Sequence, residues 1–248
     1  MKLRLLPALI FALSVTAEAD PIAANIEAAM AAESRPAEDA ARDANRLPVE
    51  TLTFFGLEDD MRVLEIIPGG GWYTRLLAPA LHDNGELYLA IGAGRVAERL
   101  SGQPGFDSIT VLDPKVSFER NGPFRLNSAV AAFTFDVTDL DMVLTFRNLH
   151  NFDKKTRDWM NKAVFDSLKS GGIYGVVDHT ARHNEPINND NRRRIDPVTV
   201  IAELTAIGFE FVAASDLHYR PQDNLTLEVG NDAVTGQTDR FTFKFRKP

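Results

Sequence analysis

There is no cysteine in these 248 residues, so the fold holds no disulfide and no thiolate metal site. An oxidising compartment tolerates that absence without requiring it. After the first twenty residues no apolar run is long enough for a transmembrane helix, and a soluble product is expected. A surplus of basic charge is missing too: 27 Lys and Arg stand against 35 Asp and Glu, for a net charge of −8. That balance excludes a broad nucleic-acid surface, which needs a basic face. Arg192, Arg193 and Arg194 form the local exception, read as a solvated loop or as a clamp on something small and anionic. Two phosphate signatures are absent as well. No glycine-rich turn ends in Gly-Lys-Ser/Thr, and none spaces its glycines as G-x-G-x-x-G.

What is present is organised around Arg62–Thr74, RVLEIIPGGGWYT. Val63, Leu64, Ile66 and Ile67 make a short apolar run broken only by Glu65, as suits a strand covered on both faces. Pro68 ends the strand, and Gly69, Gly70 and Gly71 permit a tight turn and a close approach of ligand to backbone. Trp72–Leu81 reads as the following helix, with Leu76, Leu77 and Leu81 inward. The turn either cradles a ligand or serves only its own geometry.

The chain starts with MKLRLLPALIFALSVTAEAD, a charged start, a short apolar core and Ala17-Glu18-Ala19. This pattern predicts a signal peptide over 1–19, cleavage before Asp20, and a periplasmic or secreted product. Losing Lys2, Arg4 and Glu18 leaves a charge of −9. Residues 20–56 are expected to form a helical arm with one helix over Ile22–Ala32 and another from Ser34, its N-cap, to Asn45. The dense Arg35, Arg42, Asp43 and Arg46 are either salt-bridged helix surface or a lid over the glycine turn, and Leu52, Phe54, Phe55 and Leu57 anchor the arm.

Residues 57–248 read as one alternating α/β domain. Strands are expected over Glu86–Ile91, Ser108–Leu112, Met142–Phe146, Ile173–Val177, Phe209–Ala213 and Arg240–Arg246, and a loop or small hairpin over Ser117–Asn127. Helices are expected over Arg95–Leu100, Lys154–Ser170 (Trp159, Val164, Phe165 and Leu168 inward, Gly171-Gly172 as its stop) and Pro197–Ile207. Thr226–Asp239 is a polar excursion. In such sheets ligands lie outside the carboxyl ends of the strands. Asn148 and His150 follow one strand, and Asp178 and His179 follow the next. His150, Asn148 and Asp178 are therefore the candidates for orienting a substrate or taking its proton. The alternative is a polar loop capping the next helix, with Asp153 as N-cap. His179 and His183 are four apart but precede a loop, so no metal site is assigned.

Several stretches carry a resemblance. RPAEDAARDANR (35–46), VLEIIPGGGWYT, TFRNLHNF, LKSGGIYGVVDH and AIGFEFVAASD (206–216) are together similar to a bacterial family of predicted exported methyltransferase-like proteins with the class I S-adenosylmethionine (SAM)-dependent fold. The resemblance implies a Rossmann-like, mostly parallel seven-stranded sheet with helices on both faces. It also implies SAM as cofactor, in a pocket lined by Glu65, Gly69, Gly70, Gly71, Tyr73 and Thr74, and an unspecified small-molecule acceptor. Two positions depart from the family pattern. Ile67 stands where the first motif glycine would be, and none of Ala90, Ile91 and Gly92 is the acid expected to hold the ribose. A catalytically inactive or repurposed binding protein on the same scaffold is the alternative implied.

Overall fold

The computed structural model describes residues 21–248, so the expected signal peptide and its cleavage position lie outside the described residues. Nine strands and eight α-helices are described. In chain order they are α1 (Pro21–Met30), α2 (Ala37–Ala40), α3 (Asp43–Arg46), α4 (Pro48–Phe55), β1 (Arg62–Ile66), α5 (Thr74–Leu81), β2 (Glu86–Ala90), α6 (Gly94–Leu100) and β3 (Thr110–Leu112), then β4 (Phe118–Asn121), β5 (Leu126–Ala129), β6 (Leu140–Phe146), α7 (Lys154–Ser167), β7 (Leu168–His179), α8 (Pro197–Ile207), β8 (Glu210–Ser215) and β9 (Arg240–Arg246).

Seven strands form one sheet in the order β3-β2-β1-β6-β7-β9-β8. The first five are parallel, and β9 runs antiparallel between β7 and β8. The chain steps outward from β1 to β3, then returns to lay β6 on the other side of β1. That reversal opens a crevice beyond the carboxyl ends of β1 and β6. Each sheet face carries its own core. One packs Ile22, Ile26, Leu52, Phe55, Leu76 and Leu77 from α1, α4 and α5. The other packs Met160 and Val164 of α7, Leu204 of α8, and Phe241, Phe243 and Phe245 of β9. The three phenylalanines thus share one face, as their alternation predicts.

Several boundaries differ from expectation. The arm is broken into short helices. Pro36 rather than Ser34 precedes α2, and it offers no side-chain cap. The segment expected as a loop or hairpin is the antiparallel pair β4–β5. Helix α7 ends at Ser167, not at the glycine pair, and β7 starts at once with Leu168. A register shift between Leu140 and Met142 lets β6 follow this longer partner, so the LKSGG run is strand. Asp178 and His179 accordingly close β7 instead of following it. Trp159 is half-buried beneath Lys155, while Met160 and Asn161 take the inward positions. Asp153 and Asp196 cap α7 and α8 as expected, accepting from Thr156 N and Val198 N.

The arm is part of the core through α4. A Cβ on Gly175 of β7 would lie 2.9 Å from Phe55 ring carbons and 2.7 Å from Leu144 Cδ2. Gly175→Ala is therefore expected to cost ~1–3 kcal/mol from overpacking, and Phe55→Ala ~3–5 kcal/mol from the cavity it leaves. In urea titrations the double variant should lose clearly less than the sum, because the added methyl occupies space the ring has left.

Candidate functional site

A cavity of about 650 Å³ opens at the carboxyl ends of β1, β6 and β7. Its floor is the β1–α5 turn. Its walls are the loop after β6, the arm residues Asp39, Arg42, Asn45 and Arg46, and Gly230, Thr235 and Thr238 of the excursion before β9.

The backbone bends left-handed at three strand ends: Ile67 after β1 (φ 57°), Ile91 after β2 (φ 61°) and Arg147 after β6 (φ 63°). A β-branched residue in this region is strained by ~1–2 kcal/mol, and such strain gathers at functional sites. Ile67 therefore adopts the conformation that a glycine would supply without strain. Its N–H still pairs with Ala90 O at 2.9 Å.

Around the turn several carbonyls are taken, while two amides are left. Asn148 Nδ2 donates to Ile66 O (3.2 Å) and Ile67 O (3.3 Å). Arg75 Nη1 donates to Gly70 O (2.9 Å) and Gly71 O (3.1 Å), and it also meets Asp39 Oδ2 of the arm at 3.2 Å. The N–H groups of Gly69 and Gly70 have no partner among the described residues. A Cβ added at either glycine would meet nothing within 4 Å, so both face open space. Gly71 does not line the cavity. Its φ is 83°, and a Cβ there would strike Val96 Cγ1 at 2.8 Å, so this glycine allows α6 to pack.

Glu65 lines the cavity from below, buried and accepting from Thr74 Oγ1 at 2.6 Å. Burial pushes its carboxyl up to about 7, against the lowering effect of the Thr74 hydrogen bond. Thr74 is fully buried and reaches the cavity only through Glu65. Tyr73 lies flat on Phe146, ring centroids 3.5 Å apart and planes 9° apart, and burial raises its phenol.

The three catalytic candidates come together in part. His150 Nδ1 lies 2.5 Å from Asp178 Oδ1, and Asp178 also accepts from the N–H groups of His150 (3.1 Å) and His179 (2.7 Å). A carboxylate with two backbone donors favours Nδ1–H on the ring, leaving His150 Nε2 as an acceptor at the cavity with no partner among the described residues. Asp178 is buried beneath His150 and does not reach the cavity. Asn148 uses its amide donors on the turn and on Thr145 Oγ1 (3.1 Å), so only its carbonyl oxygen is left for a ligand. His179 sits beside His150 on the Thr238 hydroxyl at 3.0 Å, and burial lowers its pKa well below the usual histidine range. His183 pairs instead with Asp196 at 2.8 Å.

The arm covers this floor. Trp72 Nε1 donates to Asp39 O at 2.9 Å, and the Trp72 ring is flanked by the guanidinium groups of Arg46 (4.3 Å) and Arg35 (5.1 Å). Arg35 in turn pairs with Asp43, at 2.5 Å. The arginine run divides. Arg194 is buried against Asp223 at 2.9 Å, Arg193 pairs with Glu228 at the cavity, and Arg192 is exposed. Arg147 belongs to the polar run 147–151 that the sequence places at a strand end, but sequence reasoning missed Arg240 and the excursion as parts of the site. Arg240 reads as an ordinary strand start, and only its place beside β7 brings it to the cavity.

No family model and no curated protein matches the chain. Solved structures do. It is similar to a SAM-dependent methyltransferase from Aquifex aeolicus, at 16% identity over 92% of this chain and 98% of that one, with a TM-score of 0.56. The [4+2]-cyclase SpnF matches over 92% and 93% of the two chains at 16% identity and TM-score 0.56. The glycopeptide N-methyltransferase MtfA, solved with SAM, matches over 83% and 94% at 17% identity and TM-score 0.54. The chain thus has the Rossmann-like class I methyltransferase fold.

Glu65 yields a stability test. The unfolded carboxyl titrates near 4.5 and the folded one near 7. Between these values the folded state holds the proton, so stability falls as pH rises and the loss is complete above about 7. The cost is on the order of 3 kcal/mol. Glu65→Gln keeps an oxygen for Thr74 and removes the charge. Denaturation midpoints are expected to be near parity at pH 4 and clearly higher for the variant at pH 8.

Proposed function

We propose that this protein is a SAM-dependent methyltransferase acting on a small molecule. The observation that carries the reading is one cavity at the strand reversal, with unpaired glycine amides at its floor and His150 Nε2, backed by Asp178, at its wall. The residues present fit the cofactor. Gly69 and Gly70 leave room against the backbone, and Glu65 is a buried carboxyl with no cationic partner among the described residues. The volume falls within the range of small-molecule pockets, about 300–1,000 Å³.

The amides of Gly69 and Gly70 and the carboxyl of Glu65 would hold the amino-acid end of SAM, the amides taking its carboxylate and Glu65 its ammonium. When bound, SAM supplies an electrophilic methyl on a sulfonium, whose carbon–sulfur bond breaks as the acceptor's lone pair bonds to carbon. The stacked Tyr73 and Phe146 make a flat, water-excluding wall. His150 Nε2 receives the acceptor's proton. Asp178 fixes the tautomer and stabilises the imidazolium that results. Asn148 acts by position, holding the end of β1 against the loop after β6, so acceptor and turn keep one geometry. The end of β2 offers a ribose no carboxylate, since Ile91 and Gly92 stand there.

We also infer export, on the pattern of residues 1–19. N-terminal sequencing of the protein recovered from outside the cytosol should then start at Asp20.

The cofactor test uses Gly70, which has ordinary φ and open space around a new side chain. Titration calorimetry should register S-adenosylhomocysteine with the parent protein. Gly70→Val should leave the melting temperature nearly unchanged while weakening that binding at least tenfold. No heat with either SAM or its demethylated product would leave the binding-protein alternative in its place. His150→Gln should bind S-adenosylhomocysteine like the parent, and in an assay with an identified acceptor it should lose ~10²–10⁴-fold in kcat.

A further inference from the structure

The cavity carries more positive charge than a SAM site uses. Arg46 and Arg240 are more than nine-tenths buried and both line it. Arg46 Nε and Nη1 and Arg240 Nε have no hydrogen-bond partner among the described residues. Arg240 spends Nη2 on Asn45 O (2.6 Å) and Asn45 Oδ1 (2.8 Å), both neutral acceptors. Arg147 lines the same wall, and its guanidinium has no hydrogen-bond partner among the described residues. Burial lowers the pKa of Arg46 to about 9 and that of Arg240 to about 10, with Arg147 as a repelling neighbour of both. All three remain charged at neutral pH.

The carboxylates at the cavity do not balance them. Asp39 faces Arg75, Glu38 is exposed, and Glu65 holds its proton up to about 7. Asp178 is occupied by His150 and two backbone amides. A buried cation is costly unless paired, and here three guanidinium-bearing residues without a paired carboxylate line a space a ligand can enter. Guanidinium groups suit oxyanions in particular, since their planar fork matches carboxylate and phosphate oxygens.

We propose that the methyl acceptor carries a carboxylate or phosphate, held by Arg46, Arg147 and Arg240 where they line the cavity. This rests on the methyltransferase reading for the word acceptor, but the anion site can be tested without it. The pairing also answers an electrostatic problem. SAM carries a net positive charge and would meet a cationic wall. An anionic acceptor neutralises that wall, so each ligand should improve the other's binding, and reciprocally.

The test is calorimetry with inorganic phosphate and with malonate, first on the ligand-free protein and then on protein saturated with S-adenosylhomocysteine. One or both probes are expected to bind in both conditions, and the difference between them tells phosphate from carboxylate. Arg147→Gln and Arg240→Gln should each weaken the better probe about tenfold or more. Arg193→Gln, at a residue already paired with Glu228, should change it little. Arg147→Gln should also raise the melting temperature of the ligand-free protein, because it removes repulsion and no hydrogen bond; a structural arginine would lower it. The proposal is overturned if neither probe binds, or if affinity is unchanged in both variants. It is equally overturned if S-adenosylhomocysteine displaces the probes, since the arginines would then serve the cofactor's own carboxylate. Probe binding with no heat from S-adenosylhomocysteine would keep the anion site and remove the transferase reading.

Discussion

Three guanidinium groups are held close together where water is scarce, and much of the architecture at this end of the sheet follows from holding them there. Left to themselves they would separate into solvent. Arg46 is retained by the face of Trp72, whose quadrupole attracts a cation without neutralising it. Its backbone is retained by His218, which is fully buried and accessible only in neutral form. His218 Nε2–H donates to Arg46 O at 3.0 Å, while Nδ1 accepts from the Thr242 hydroxyl at 2.6 Å. Burial and the neighbouring Arg240 lower its pKa to about 3. A charged histidine here would add a further cation and lose its acceptor. Arg240 is fixed through Asn45. The arm, the excursion and β9 therefore meet through neutral groups that orient cations and leave their charge available.

The glycine turn shows the complementary arrangement. Asn148 and Arg75 draw its carbonyls away, so the cavity sees amides. Asn148 comes from the loop after β6 and Arg75 from α5, and Arg75 also reaches the arm. The turn is thus braced by the loop after β6, by the helix that follows it and by the segment above it. The strain at Ile67 fits this picture, because a left-handed bend persists where its surroundings over-determine it. What looks in the sequence like a lost motif glycine is a retained conformation.

The strand–turn–helix unit was legible because it rests on local chemistry: an apolar run, a proline, then glycines. So were β9 and α8, where alternation and a capping Asp speak directly. The hairpin β4–β5 was only half legible, since four-residue strands carry little pattern. The boundary between α7 and β7 was misread for a physical reason. Gly171-Gly172 is a plausible helix stop, and the register shift that turns LKSGG into strand depends on β6, a partner distant in sequence. In the site, Glu65 and the His150–Asp178 contact were within reach, because both sit at strand ends. Arg46 was half legible, as one of two readings for the arm, and Arg240 was not. Arg46 reads as helix surface or as a lid, Arg240 as strand edge, and they meet only after the arm folds over the turn.

The shared scaffold leaves the chemistry open. SpnF, described as a [4+2]-cyclase, and MtfA, described as a glycopeptide N-methyltransferase, match this chain about equally well and at equally low identity. A sheet of this order offers a floor and a set of strand ends, and function depends on what is placed over them. Here that covering comes from outside the βα repeat: the arm supplies Asp39, Asn45 and Arg46, and the excursion supplies Gly230, Thr235 and Thr238. Arg46 comes from this covering, while Arg147 and Arg240 stand at strand ends with the paired His150 and Asp178. A ligand in the cavity would present an anionic end to the arginines and a proton-bearing group to His150. The arm thus completes, with Arg46, a cationic cluster that the strand ends only begin.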